Sequence, residues 1–190
     1  TLRQKLRDMS SLPLPDVCRH GIEIAEALGV AHRAGVIHRD VKPENIMIVK
    51  SSGDVKMVDF GLARLGEDQN ITREGVIAGT LAYMAPEQIR AQKMDHRVDI
   101  YALGVILYEM TTGQLPYSGE NVLGQHLHAP IPNLLDLCPD APPQLAQLVT
   151  ECLAKAPEDR PASCDLIRQR LEGVRKSAAT IQTVMFDKPA

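Results

Sequence analysis

Tryptophan is missing from the 190 residues, and phenylalanine and tyrosine bring the aromatic share to only 3%. A core built from this chain must therefore be mainly aliphatic. Charge of one sign is missing as well. Lys and Arg number 21 and Asp and Glu 24, a net charge of −3. That balance argues against a nucleic-acid or anionic-membrane binder working by bulk electrostatics, so no nucleic-acid partner is expected. Cys18, Cys138, Cys152 and Cys164 form no C-x-x-C pair and have no histidine at metal-ligand spacing. A zinc ribbon and a dense disulfide framework are excluded, and four thiols in a reducing, cytoplasmic compartment are expected. Long apolar runs are absent too. The longest, Tyr101–Tyr108, falls far short of the roughly 20 residues a bilayer span needs. No secretory leader pattern opens the chain. The first residue is Thr1 rather than methionine, so we expect the N-terminus to be a cut.

What is present is ordinary for a soluble globular protein, with 44% hydrophobic and 24% charged residues. Disorder over the whole length is excluded, and the length fits one domain. Residues 3–7 read as a short amphipathic helix ending before Pro13. A longer helix is predicted over Val17–Ala34, with Asp16 as N-cap, an apolar stripe including Cys18, Ile22, Ala25 and Leu28, and Gly35 as its stop. Asn45–Val49 and Val55–Val58 flank turn chemistry and predict a hairpin. Residues 66–80 have no period and read as a long functional loop. From Pro86 onward the pattern turns helical. Val98–Thr111 is apolar almost all round, the mark of a buried central helix ended by Gly113 and Pro116. Further helices are predicted over Glu120–His128, Gln144–Lys155 and Cys164–Lys176, the last capped by Ser163. Residues 176–190 read as a loosely structured tail or linker. The fold class is mainly α with one small β-hairpin.

Four clusters carry chemistry. His38-Arg39-Asp40-Val41-Lys42-Pro43-Glu44-Asn45 places a carboxylate, a cation and a carboxamide just before a strand. A carboxylate near a lysine can orient a hydroxyl nucleophile and neutralise an anionic electrophile, and Asn45 can offer a neutral oxygen to a hard cation. Alone, the segment can also be read as a charged loop with a capping Asp. Asp59-Phe60-Gly61 puts a carboxylate at a strand end, which suits a metal but is also common turn chemistry. The third cluster runs from Gly79 and Thr80 to Pro86 and Glu87. The fourth pairs Asp99, in the apolar helix, with the distant Arg160. A buried Asp99 needs donors unless it is simply an N-cap. Arg160, close between Pro157 and Pro161, is by default a surface charge.

Taken together, HRD-x-K-x-x-N, DFG and APE follow one another in the order of the protein-kinase signature set. From about residue 1 to 175 the chain resembles the large, C-terminal lobe of a bacterial eukaryotic-type Ser/Thr protein kinase. The resemblance implies phosphoryl transfer from ATP to Ser or Thr of protein substrates, with Mg²⁺ as the metal and Mn²⁺ able to stand in. It implies Asp40 as catalytic base, Lys42 as the lysine reaching the transferred phosphate, and Asn45 and Asp59 as magnesium ligands. Lys42, Glu44, Asn45 and Asp59 form the candidate nucleotide-binding set. Thr80 would hydrogen-bond Asp40 and Lys42. Glu87 and Arg160 would form a buried ion pair, Asp99 would hold the catalytic-loop backbone, and His38 and Phe60 would stack. In the loop before Pro86, Thr72 is the expected phosphorylation site. Glu74 is expected to pair with Arg39 and partly order the loop, unless it is a plain surface charge.

The small, β-rich lobe is absent from these residues. No two glycines are separated by a single residue, and Lys5 is the only lysine upstream of His38. The Gly-rich loop and the strand lysine of the family therefore have no counterpart, and the 190 residues alone are expected to bind nucleotide weakly. The missing small lobe is the expected intramolecular partner, and any membrane tether would lie outside this segment. The alternative is a non-catalytic, kinase-like binding or scaffolding module.

Overall fold

The computed structural model describes residues 1–59 and 81–186. Helix α1 (Leu2–Met9) starts at a capping box in which the Thr1 hydroxyl accepts from the Gln4 amide. Helix α2 (Leu14–Arg33) begins three residues earlier than the apolar stripe implied. Pro15 fits its first turn, where no amide hydrogen is required. Asp16 is therefore not the cap. Its carboxylate takes Lys5 Nζ at 2.8 Å and Arg19 Nη2 at 3.2 Å, and the Lys5 hydrogen bond holds it below the usual carboxylate range.

Strands β1 (Ile46–Ile48) and β2 (Val55–Met57) pair antiparallel, with Ile46 opposite Met57 and Ile48 opposite Val55. Val49 N–H to Asp54 O at 2.9 Å and Val58 N–H to Asn45 O at 3.0 Å carry the ladder one residue beyond each end. Glu23 of α2 accepts the Val55 amide at 2.8 Å, which fastens the hairpin to the helix.

A single turn, α3 (Pro86–Ile89), precedes α4 (Arg97–Thr112). Every residue of α4 from Val98 to Met110 is buried, as its all-round apolar sequence predicts. Gly104 lets α7 (Pro143–Cys152) approach it closely; a Cβ there would lie 2.6 Å from Cys152 Cβ. Gly113 ends α4 in the left-handed region, φ 74°, donating to Glu109 O. Helix α5 (Val122–His128) and the one-turn α6 (Leu134–Leu137) follow. Helix α6 is too short to show a period in the sequence.

Helix α7 stops at Cys152, not Lys155. Leaving the helix turns Lys155 Nζ inward, onto the carbonyls of His126 (2.8 Å) and Gln125 (3.3 Å) and the Tyr117 hydroxyl (2.9 Å). Helix α8 (Cys164–Phe186) packs along α2, and the Ser163 hydroxyl caps it by accepting from the Leu166 amide. Its backbone stays helical ten residues past Lys176, so the tail predicted to be loosely structured is instead mostly a continued helix. Extending an existing helix avoids the nucleation cost, so weakly patterned residues can follow it. Among the described residues the fold is mainly α with one two-stranded sheet, as expected. No described helix is long and apolar enough to cross a membrane.

Candidate active site

The loop after α2 is held by a carboxylate from α4. Asp99 is fully buried. Its Oδ1 accepts the Arg39 amide at 2.8 Å, and its Oδ2 accepts the His38 amide at 2.9 Å and His32 Nε2 at 2.8 Å. Its own position is inside the first turn, with His96 as the N-cap, so the simple capping alternative does not hold. Arg39 adopts φ 65°, a left-handed conformation costing a non-glycine residue roughly 1–2 kcal/mol. Gln88 Nε2 donates to Arg39 O at 3.0 Å, so both ends of this residue are clamped.

Asp40 follows directly. Its Oδ2 receives Lys42 Nζ at 2.8 Å and Asn45 Nδ2 at 3.1 Å, and its main-chain oxygen receives the same Asn45 nitrogen at 2.9 Å. Both amide hydrogens of Asn45 are thus committed to Asp40, which leaves the carboxamide oxygen as the acceptor available to a cation. Val41, 2% exposed, and Ile46, fully buried, anchor the two ends of this stretch in the core.

The hairpin end is tied to the same loop from two sides. Buried His38 meets Val58 O through Nε2 at 3.1 Å, and Val58 N–H donates to Asn45 O. Asp59, exposed and at φ 58°, is the next residue. Asn45 and Asp59 are hard oxygen donors of the kind Mg²⁺ takes, usually one or two protein groups with phosphates and waters making up the octahedron. Among the described residues no cluster of three or more His, Cys, Asp or Glu could hold a metal by itself, which is compatible with that mode.

Glu44 turns away from this group. It accepts Arg3 Nε at 2.7 Å, and the same guanidinium donates to Glu109 at 2.6 Å and to the Tyr83 hydroxyl. Tyr83 in turn donates to Glu109 Oε2 at 2.5 Å, and burial followed by the Glu109 charge pushes its phenol well above the usual range. Glu87 and Arg160 meet in a buried two-point pair at 2.6 and 2.8 Å. Arg160 also donates to the carbonyls of Ala154, Lys155 and Arg97, and stacks over Tyr101 with 4.9 Å to the ring centre. It is only 4% exposed, so the surface-charge default fails. Phe60, Thr72, Glu74 and Thr80 lie outside the described residues, as does the expected pairing of Glu74 with Arg39. Sequence reasoning passed over Arg3, His32, Gln88 and Glu109. Each acts across more than 40 positions of sequence, and no local pattern marks such contacts.

A carboxylate steadied by an ammonium and a carboxamide, beside a second carboxylate at a hairpin end, can receive a proton and share a cation. The protein kinase domain family matches residues 1–171. The serine/threonine-protein kinase PknL of Mycobacterium tuberculosis is 41% identical over 182 residues, 94% of this chain and 45% of PknL. Serine/threonine-protein kinase pkn3 of Myxococcus xanthus is 42% identical over 166 residues, 81% of this chain and 30% of pkn3. Among solved structures, the PknI kinase domain of Mycobacterium tuberculosis superposes with a TM-score of 0.69 at 26% identity, over 90% of this chain and 60% of that one. The chain spans less than half the length of these two curated relatives. Sequence, fold and loop geometry agree that the chain belongs to the protein kinase domain family, with a fold that is that family's large lobe.

Proposed function

We propose that this chain is the catalytic-loop lobe of an enzyme that transfers the γ-phosphoryl group of ATP to Ser or Thr of protein substrates. The observation that carries the reading is the Asp40 carboxylate, held through one oxygen by Lys42 and Asn45, on a loop whose backbone Asp99 grips. With Oδ2 occupied, Oδ1 is the oxygen that would accept the substrate hydroxyl's proton as the new O–P bond forms and ADP leaves. Lys42 would neutralise the phosphoryl oxygens during transfer. The Asn45 oxygen and the Asp59 carboxylate would hold Mg²⁺, whose charge offsets that of the nucleotide phosphates. Such a site works by positioning and charge neutralisation more than by covalent chemistry.

A second reading, a non-catalytic binding module, is favoured by one feature. The 190 residues contain no G-x-G segment and only Lys5 before His38, so the phosphates lack a cover within this sequence. The test is transfer of labelled phosphate to Ser or Thr of a protein substrate, using the segment joined to a kinase small lobe, with Asp40→Asn as the control. Removal of a general base costs about 10²–10⁴ in rate, so Asp40→Asn should reduce transfer to near background. Turnover equal to wild type would sink the catalytic assignment. No transfer in either protein would favour the binding module.

A further inference from the structure

Lys155 is engaged at both ends. Its main-chain oxygen accepts Arg160 Nη2 at 3.2 Å, and Arg160 is the partner of Glu87. Its ammonium enters the last turn of α5, donating to His126 O at 2.8 Å, Gln125 O at 3.3 Å and the Tyr117 hydroxyl at 2.9 Å. It also lies 4.3 Å from the centre of the Tyr117 ring. Carbonyls in the last turn of a helix lack partners within it, and a cation there meets the negative end of the helix dipole. The helix so held carries a fully buried histidine. His126 Nδ1 lies 2.7 Å from the Tyr101 hydroxyl, and the Tyr117 ring meets the imidazole edge-on at 4.9 Å between centres. Burial, then the Lys155 charge, keep the ring neutral. The Tyr101 hydroxyl has no other acceptor among the described residues, so its hydrogen goes to Nδ1 and the ring carries its own on Nε2. That Nε2 is buried without a well-formed hydrogen bond among the described residues. The main-chain group acting on it is at Ala82, and because it favours positive charge on the ring it is the carbonyl. Helix α5 also packs on α3. Ala82 opens the stretch that ends at Glu87, and Tyr83 and Met84 of that stretch line a small cavity with Gln88, Asp40 and Val41.

We infer that Lys155 and His126 are positioning residues that clamp residues 82–87 beside Asp40 and so set the wall on which a protein substrate lies. The stretch is gripped at its Glu87 end by Arg160, which Lys155 O helps to hold. At its Ala82 end the support is the His126 ring on α5. The Lys155 ammonium fixes the end of that helix, so one residue serves both grips. Without the ammonium, two carbonyls and a hydroxyl lose their shared donor, and under-satisfied acceptors of this kind draw in water or move. The end of α5 is then released, the His126 ring shifts with it, and Tyr83 and Met84 lose their backing. Neither side chain touches Asp40, Lys42, Asn45 or Asp59. Their effect therefore falls on the affinity for a protein segment and not on the transfer step.

The effect on a protein substrate rests on the proposed function; the clamp does not, and the two are read separately. Amide hydrogen exchange of the 190-residue chain, resolved by residue, follows two amides. Ala129 N–H donates to Gln125 O at 2.9 Å, and Met84 N–H donates to Leu81 O at 3.3 Å. Lys155→Met keeps the stem and removes the ammonium. In it both amides should exchange roughly fivefold faster or more, relative to the interior of α4, the size of one lost hydrogen bond. His126→Leu should speed Met84 alone, and His126→Gln, which keeps an N–H, should restore it; this pair gives the reading if Lys155→Met does not fold. Nitrogen NMR of the His126 ring at neutral pH should show the Nε2–H form. An unchanged Met84 amide in Lys155→Met, equal loss in His126→Leu and His126→Gln, or an Nδ1–H ring would overturn the inference. So would faster exchange spread evenly through α4, α5 and α7. In the segment joined to a kinase small lobe, Lys155→Met should raise the protein-substrate KM about fivefold and leave kcat and the ATP KM within about twofold. An unchanged protein-substrate KM would remove the substrate role. Absent transfer by the wild-type segment with its small lobe would count against the kinase reading and leave the exchange result standing.

Discussion

Arg160 shows how far a single residue can depart from its local context. Close between two prolines, it has the sequence of an exposed charge, yet it is buried against Glu87, three main-chain carbonyls and the Tyr101 ring. Five N–H donors in a planar fork suit this crowd of acceptors, which a lysine could not satisfy. Glu87→Ala leaves the guanidinium in the core without its counter-charge. We expect a loss on the order of 3–5 kcal/mol, measured as a fall in the urea midpoint with little change in slope. A midpoint within error of wild type would mean that the carbonyls suffice. The same residue scale separates what was legible from what was not. Asp40, Lys42 and Asn45 sit within six positions, so their meeting follows from chain connectivity. Arg3 with Glu109 and His32 with Asp99 require two distant helices to be placed first.

At the scale of elements, periodicity and cap chemistry located the long helices and the hairpin. Their ends shifted where tertiary contacts outbid local signals. Helix α7 stops early because Lys155 is used inward, and α8 runs on because it already has a nucleus. The contact of α4 with α7 depends on one hydrogen atom in place of a methyl group. A Cβ on residue 104 would stand 2.6 Å from Cys152 Cβ and 3.3 Å from the Cys152 carbonyl carbon, so Gly104→Ala must push the helices apart. Overpacking of this kind typically costs about 1–3 kcal/mol. It should appear as a lowered thermal midpoint, despite alanine's better helix propensity. A rise in midpoint would show that α7 moves freely.

For the molecule as a whole, acid is the informative stress. Burial, then the charges of Lys5 and Arg19, depress His20 to about 4. Burial, then Lys155, depresses His126 to about 4. Unfolded histidines titrate near 6.5. Between pH 6.5 and 4 the unfolded chain therefore binds more protons, and folding stability rises with pH across that window. This contribution is complete above pH 6.5, is lost as the pH falls, and changes no further below 4. Its size is on the order of 3 kcal/mol per histidine. Urea midpoints at pH 7 and 4.5 should differ strongly in wild type and much less in the His20→Gln, His126→Gln double variant. An equal pH slope in the two proteins would place the acid sensitivity elsewhere.

The sequence by itself determined the family, the mainly helical class, the buried α4 and the candidate catalytic cluster. Those features are written in short-range order: motif spacing, an all-apolar stretch and residues adjacent in the chain. Only the tertiary structure decided which partners steady that cluster. His32, through Asp99, and Gln88, through the Arg39 carbonyl, reach it across packed helices. Such contacts are selected by the burial of whole faces, and no local stretch of sequence carries that information.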